Sequence, residues 1–340
     1  MRKQFLAVLL PVFLCLLLTA CTSRQEEDRE LVRGEAPSYD DEYITIGLIQ
    51  TGKESDWRDA NTQNYLDIFT KERGYNLIYI DGNSSPERQI RAIYDLITQQ
   101  VDYIILQPIV ESGWESAIKE ADRLGIPVII ADRQVAVDEA YYTTWVGSDF
   151  RDEGEKAVAW LEDYLRQENR EEEELNIILL EGTQGATAAI GRTEGILSAL
   201  KEHPNWHIIA QRSADFTQGE AQIVMEDILQ EINASDIDII ISENDNMIFG
   251  TMEVLDRHNI SYGPDNDIIM ISFDALGEAF EKMLDGRLHV SVECNPLLAE
   301  TVEGVILKLE QNEAVEKKYY TEEGVYTYLN AAEYAPKRKY

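Results

Sequence analysis

The sequence predicts an α/β protein built as two doubly wound parallel-sheet lobes. Short β-rich runs alternate with amphipathic stretches from residue 43 to about residue 311, the pattern of strand–helix–strand units with right-handed crossovers. The runs Ile104-Ile105-Leu106 and Ile239-Ile240-Ile241 are continuously apolar, as strands covered on both faces are. A length of 340 residues exceeds one ordinary core and suits two lobes of about 150 residues each.

Taken in order, 44–50 reads as a strand and 57–73 as a helix stopped by Gly74. A strand at 76–80 is closed by Asp81-Gly82, and Pro86 opens a helix to about residue 100, since proline suits the first helical position. Then come a strand at 103–106, a helix at 112–124 closed by Gly125, and strands at 127–131 and 143–147. The second half restarts with strands at 176–180, 207–211, 237–242, 268–271 and 290–292. Helices fall near 151–167, 187–202, 218–232, 246–258, 275–285 and 296–311. The charge run at 167–174 reads as a solvated helix end and loop.

The N-terminus reads as an address. Arg2 and Lys3 precede a nearly all-apolar run at 5–18, and Leu18-Thr19-Ala20-Cys21 follows. This is the pattern of a secretory signal peptide: the run is about 14 residues, short of the roughly 20 that span a bilayer. The tetrapeptide resembles a bacterial lipobox, which implies that Cys21 is lipidated and becomes the new N-terminus. Residues 1–20 are therefore expected to be a lipoprotein signal peptide. Residues 21–42, with Glu26, Glu27, Asp28, Glu30, Asp40, Asp41 and Glu42, are expected to be a flexible acidic tether. The body would work outside the cell, anchored to its membrane. Of the three cysteines, Cys15 would leave with the signal and Cys21 would carry lipid, so Cys294 stands alone and no structural disulfide is expected.

The formal charge is −34 with 44% hydrophobic residues. Such a surface repels nucleic acid, whose binding needs Lys and Arg on phosphates, and disfavours anionic substrates and anionic lipid.

In open parallel sheets, ligands sit beyond the carboxyl ends of the strands. Those positions carry the chain's chemistry: Thr51, Ser55, Trp57 and Arg58 after the first strand, then Asp132-Arg133. Arg192 lies into the helix after 176–180. Phe216, Asn244, Asp274 and Glu293 follow in the second half. Carboxylates, guanidiniums, an amide and aromatics together suit a polyhydroxylated ligand. A carboxylate accepts from hydroxyls, an Arg fork donates to neighbouring oxygens, and an aromatic plane packs on a sugar ring. Each residue has a plainer role open to it: a strand-end carboxylate also serves as a helix N-cap, and Trp57 also suits a core.

These residues resemble the periplasmic sugar-binding proteins of ABC importers, of the ribose-binding type, and within them most the galactofuranose-binding branch. The resemblance covers about residues 43–312. Its specific pieces are Glu54-Ser55-Asp56-Trp57-Arg58, Gln107-Pro108 with Gly113-Trp114-Glu115, Asp132-Arg133, Gly182-Thr183-Gln184-Gly185-Ala186 through Arg192, Asp215-Phe216-Thr217, Asn244-Asp245, Phe273-Asp274 and Val292-Glu293. It implies the type I periplasmic-binding-protein fold, two lobes joined by a three-segment hinge near 148–150, 292–295 and 320–323. The N-lobe would be 43–149 with 294–321, and the C-lobe 150–293 with 322–334. It also implies roles. Trp57 would stack on the sugar beside Thr51, Ser55 and Arg58. Asp132 and Arg133 would bind hydroxyls from the N-lobe, and Arg192, Phe216, Asn244, Asp274 and Glu293 from the C-lobe. Several ribose binders carry an amide where Glu293 stands, and Trp57-Arg58 replaces their paired aromatics. An aldose other than ribose follows.

The expected partners are a monosaccharide and a membrane permease of an ABC importer. The alternative is a sensor presenting sugar to a membrane histidine kinase or chemoreceptor; the neighbouring gene would discriminate. A monomer without cofactor is expected. A repressor of this shape needs a basic helix-turn-helix where this chain has a signal peptide. A glycosidase reading would pair Asp132 with Glu293, but Arg133 and Arg192 would hold such carboxylates ionised, and a general acid needs the reverse. Gly182-Thr183-Gln184-Gly185 lacks the Lys-Ser/Thr end of a P-loop. Pro204 separates His203 from His207, and Asp265-Asn266-Asp267 is too short for an EF-hand loop, so no metal is expected.

Overall fold

The computed structural model describes residues 42–340. The expected signal peptide, the lipidated Cys21 and the tether through residue 41 lie outside the described residues. The first half runs β1 (Ile44–Gln50), α1 (Asp56–Ile68), β2 (Tyr75–Asp81), α2 (Pro86–Thr98), β3 (Tyr103–Leu106), α3 (Glu115–Arg123), β4 (Val128–Ala131) and β5 (Thr144–Gly147). The second runs α4 (Phe150–Glu168), β6 (Leu175–Glu181), α5 (Thr187–Leu200), β7 (Trp206–Ser213), α6 (Gln218–Glu231), β8 (Ile239–Ser242), α7 (Asp245–Arg257), β9 (Ile269–Asp274), α8 (Gly277–Leu284) and β10 (Val290–Glu293). Then come α9 (Ala299–Glu310), β11 (Lys318–Tyr320), β12 (Val325–Thr327) and α10 (Ala331–Tyr334).

Among the described residues the strands form two six-stranded sheets, ordered β2-β1-β3-β4-β5-β11 and β7-β6-β8-β9-β10-β12. All pairings are parallel except β10 with β12. This is the two-lobed parallel α/β architecture expected, with three passages between sheets: after β5, after β10, and between β11 and β12. Both faces of each sheet are covered. In the first lobe, Ile46, Leu48 and Ile105 pack on Leu298, Val302 and Ile306 of α9 and the residue before it, while the opposite face meets Ile93, Leu96 and Trp114. Helix α2 shows why these helices form: Ser85 accepts from Arg88 N at the N-cap, Pro86 opens the helix, and Gln89, Ala92, Ile93, Leu96 and Ile97 make one buried stripe. Among the described residues no helix is long and apolar enough to cross a membrane.

Several boundaries move for local reasons. Helix α1 ends at Ile68, and residues 71–73 make a separate 3-10 turn closed by Gly74 at φ 92. Helix α3 begins at Glu115, because Gly113 at φ 101 turns the chain and Trp114 is anchored by Nε1 donating to Val110 O at 2.6 Å. Strand β9 continues through Ser272, Phe273 and Asp274, which pair with Ser291, Val292 and Glu293 of β10.

Candidate ligand-binding cleft

The carboxyl ends of both sheets meet across one narrow cleft. On the first-lobe side, Ser55 caps α1 by accepting from Arg58 N at 3.2 Å, which sets Trp57 and Arg58 in the first turn facing the cleft. Arg58 donates from Nη2 to Asp132 Oδ2 at 2.6 Å, from Nη1 to Gln107 Oε1 at 2.6 Å and from Nε to Glu54 Oε1 at 3.3 Å. Arg133 Nη2 donates to the same Glu54 oxygen at 2.5 Å. Glu54 thus joins two guanidiniums. Burial would raise its pKa, but Arg133 and Arg58 together outweigh burial and lower it. The Arg133 Nε hydrogen is buried without a hydrogen-bond partner, a donor aimed at nothing the protein supplies.

On the second-lobe side, Arg192 Nε donates to Glu153 Oε2 at 2.6 Å, Nη1 donates to Glu243 O, and Nη2 lies 3.5 Å from Asp274 Oδ1. Its guanidinium stands 5.0 Å over the Phe273 ring. Burial pushes the Asp274 carboxyl well up, with Arg192 opposing. Asn244 caps α7 through Oδ1, accepting from Met247 N at 2.9 Å, and holds Phe216 by donating from Nδ2 to its carbonyl at 3.0 Å. Phe216 lies flat over Gly182, where an added Cβ would sit 1.9 Å from the ring. Asp132 (φ 60), Phe216 (φ 61) and Asp274 (φ 102) all occupy the left-handed region. Non-glycine residues are held there where the surroundings over-determine them, most often at binding sites.

The lobes are closed on each other. Trp57, 5% exposed, packs into the second lobe's core with Phe150 and Phe216, and its Nε1 donates to Cys294 O at 2.7 Å. Arg133 stands 5.0 Å over the Phe216 ring from the opposite lobe. Asp56 N donates to Asn246 Oδ1 at 3.1 Å, Glu111 N to Gly185 O at 2.9 Å, and Gln134 N to Thr187 Oγ1 at 2.8 Å.

Of the residues expected at the site, Ser55, Trp57, Arg58, Asp132, Arg133, Arg192, Phe216, Asn244 and Asp274 line this one cleft. Two do not. Thr51 is buried behind it, with Oγ1 3.4 Å from Gly52 O. Glu293 stands outside the cleft lining, and its carboxylate turns to the C-terminal segment. There it accepts from Arg338 Nη1 at 2.6 Å, Tyr340 Oη at 2.7 Å and Gly324 N at 2.9 Å. The cause is a cation from residues 335–340, a stretch with no strand-end position to mark it. Glu54, Phe150, Ala188 and Cys294 also line the cleft. Glu54 was legible as an i,i+4 partner of Arg58. Phe150 and Cys294 carry no such signal, because only the passages between lobes bring them in, and Ala188, in the first turn of α5, has no polar group to mark it. Glu153 and Glu243, which hold Arg192 from behind, stand too far along the chain from it to be read as its partners.

Residues 46–299 match the periplasmic binding protein domain. The galactofuranose-binding protein YtfQ of Escherichia coli is 33% identical over 299 residues, spanning 87% of this chain and 92% of its own. The ribose import binding protein RbsB of Bacillus subtilis is 27% identical, spanning 87% and 89%. The periplasmic binding component of the arabinose ABC transporter of Shewanella sp. ANA-3, solved with α- and β-L-arabinofuranose, superposes with a TM-score of 0.80 at 34% identity, covering 87% of this chain and 95% of its own. Two parallel-sheet lobes, a charged cleft at their strand ends and this match over most of the body agree: the chain belongs to the periplasmic binding protein family.

Proposed function

We propose that this chain is an extracytoplasmic solute-binding lipoprotein, anchored through Cys21, that captures a monosaccharide between its lobes and delivers it to the permease of an ABC importer. The observation that carries the reading is the enclosure of one small cleft by Trp57, Arg58, Asp132 and Arg133 from one lobe and Arg192, Phe216 and Asp274 from the other. Paired guanidiniums and carboxylates present fixed donors and acceptors to ring hydroxyls, and the two aromatic planes suit the apolar faces of a sugar. The sugars named for the relatives, galactofuranose and arabinofuranose, point to an aldose in its five-membered ring form. Sugar bridging both lobes would bind the closed form far better than the open one and shift the population. No hydrolysis is proposed, since the relatives named above are binding proteins. The protein would act as a monomer without metal or cofactor.

A thermal-shift screen over D-galactose, L-arabinose, D-fucose, D-ribose and D-fructose tests this directly, because a ligand of the native state raises Tm. A rise with one or more of them, at a one-to-one calorimetric stoichiometry, is expected. No shift with any would remove the sugar reading.

A further inference from the structure

Behind the cleft, where the three passages between lobes cross, a second acidic group stands beyond Arg192. Glu153, in the first turn of α4, is fully buried. Its Oε2 accepts from Arg192, while its Oε1 has no hydrogen-bond partner. Glu323, between β11 and β12, comes to the same place: one acidic atom each of Glu153, Cys294 and Glu323 lie within 4.8 Å of one another. Glu323 Oε1 accepts from Ser148 Oγ, from Asn295 N at 2.9 Å and from Thr321 Oγ1 at 2.8 Å. Those donors lie on the first, second and third passages in turn. An oxygen that accepts from three donors carries no proton of its own. A buried oxygen with none, close to that carboxylate, is where a proton belongs, because two carboxylates sharing a dry site do not both ionise.

We propose that Glu153 is a positioning residue: it shares a proton with Glu323 and so ties the cleft's Arg192 to all three passages of the hinge. The proposal rests on the reading of the cleft as the sugar site. The groups facing Glu153 are Arg192 from α5, Asp274 from β9, and Glu323 and Cys294 from the passages. Lys156 stands one turn along α4, paired at 2.7 Å with Asp152. Burial raises Glu153 well above the ordinary range against the pull of Arg192, and raises Glu323 and the Cys294 thiol as well. With the proton in place the carboxyl–carboxylate contact holds the hinge in its closed setting. As pH rises through the raised value the proton leaves, the charges repel, and closure weakens.

The test is calorimetric titration of the full chain with L-arabinose and with D-galactose at about pH 6.5 and about pH 9, alongside Glu153→Gln and Glu153→Ala. The wild type is expected to lose about tenfold in affinity across that range as the proton leaves. Glu153→Gln, whose amide donates at every pH, keeps the lower-pH affinity within about threefold and shows no decline; Glu153→Ala loses about tenfold at both. A Gln variant as weak as the Ala variant at about pH 6.5 overturns the proposal. If neither sugar binds the wild type, the sugar reading fails, and carbon-13 NMR of the glutamate carboxyls decides the proton separately. The resonance missing from Glu153→Gln should titrate above the ordinary glutamate range and move in Glu323→Gln. An ordinary titration of that resonance, or a stoichiometric metal in the purified chain, overturns the proposal whatever the sugars do.

Discussion

Asp56 and Asn246 exchange two hydrogen bonds across the lobes: Asp56 N donates to Asn246 Oδ1 at 3.1 Å, and Asn246 Nδ2 donates to Asp56 Oδ2 at 2.7 Å. One sits in the first turn of α1 and the other in the first turn of α7, both at strand ends. The pair exists only while the cleft is shut, so it stabilises the closed form alone.

Removing this latch should therefore act on affinity and not on folding. Asn246→Ala is expected to weaken sugar binding about tenfold, the worth of a charge-assisted bond partly open to water, with Tm unchanged. Calorimetry and small-angle scattering check it; an unchanged affinity with the same closed envelope would show that the latch contributes nothing.

The shared carboxylate of Glu54 makes the first lobe's two cleft arginines, Arg58 and Arg133, unequal partners. Asp132→Asn leaves Glu54 on both Arg58 and Arg133, so we expect a small fall in Tm beside an affinity loss of at least about a hundredfold, two lost charge-assisted bonds. Glu54→Ala strips Arg133 of its one close anion, since Asp132 stands 4.0 Å from its Nε. Breaking a buried pair costs about 3–5 kcal/mol, and chemical denaturation should read that loss in Glu54→Ala only.

Stability should peak at mildly acidic pH. Burial pushes Glu243 up to about 8 and Asp245 up to about 7, from ordinary values of 4.5 and 3.8. The folded state therefore holds protons the unfolded chain has released, and stability present at low pH is lost as pH rises through 7 and 8. Glu54, lowered by its arginines, contributes above its ordinary 4.5 and loses that share as pH falls further. The loss begins above the ordinary carboxylate values, so the maximum of Tm is expected near pH 4.5, and Glu243→Gln should flatten the alkaline limb. A Tm that climbs steadily from pH 5 to 8, values on that limb, would contradict the assignment.

Glu293 and the cleft residues should separate cleanly by mutation. Arg338→Ala leaves the Glu293 carboxylate, 9% exposed, with Tyr340, Tyr326 and Gly324 N but no cation. We expect a loss of about 2–3 kcal/mol, below the full cost of an isolated buried charge because those donors remain. Sugar affinity should stay at the wild-type level in both Arg338→Ala and Glu293→Gln, and a collapse in affinity at unchanged Tm would return Glu293 to the site.

Most of the fold was legible because each strand from β1 to β10 announces itself twice, by apolar content and by the turn residues that close it, whereas the three-residue β11 and β12 carry neither mark. The run 103–106 and the strand Tyr103–Leu106 coincide for that reason. The ends blurred where tertiary contacts override local pattern. Ser272 and Asp274 look like turn residues, yet pairing with β10 keeps them in β9. The cleft was legible wherever a residue follows directly on a strand, as Asp132 and Asn244 do. It was not legible for Cys294, which only the second passage brings in, nor for the diversion of Glu293, which depends on a cation 45 positions later.

Helix α9 and strand β11 complete the first lobe from beyond β10, the far side of the second lobe in sequence. Residues 46 and 48 bury one face against Leu298, Val302 and Ile306, and β5 gains its outer neighbour only at Lys318–Tyr320. During synthesis, the strands of the first lobe thus stay half-covered until the chain of the second has been made through β10. Contacts this distant in sequence form slowly. The first lobe therefore cannot cover both faces of its sheet, or fill its outer edge, before the second lobe's chain through β10 exists.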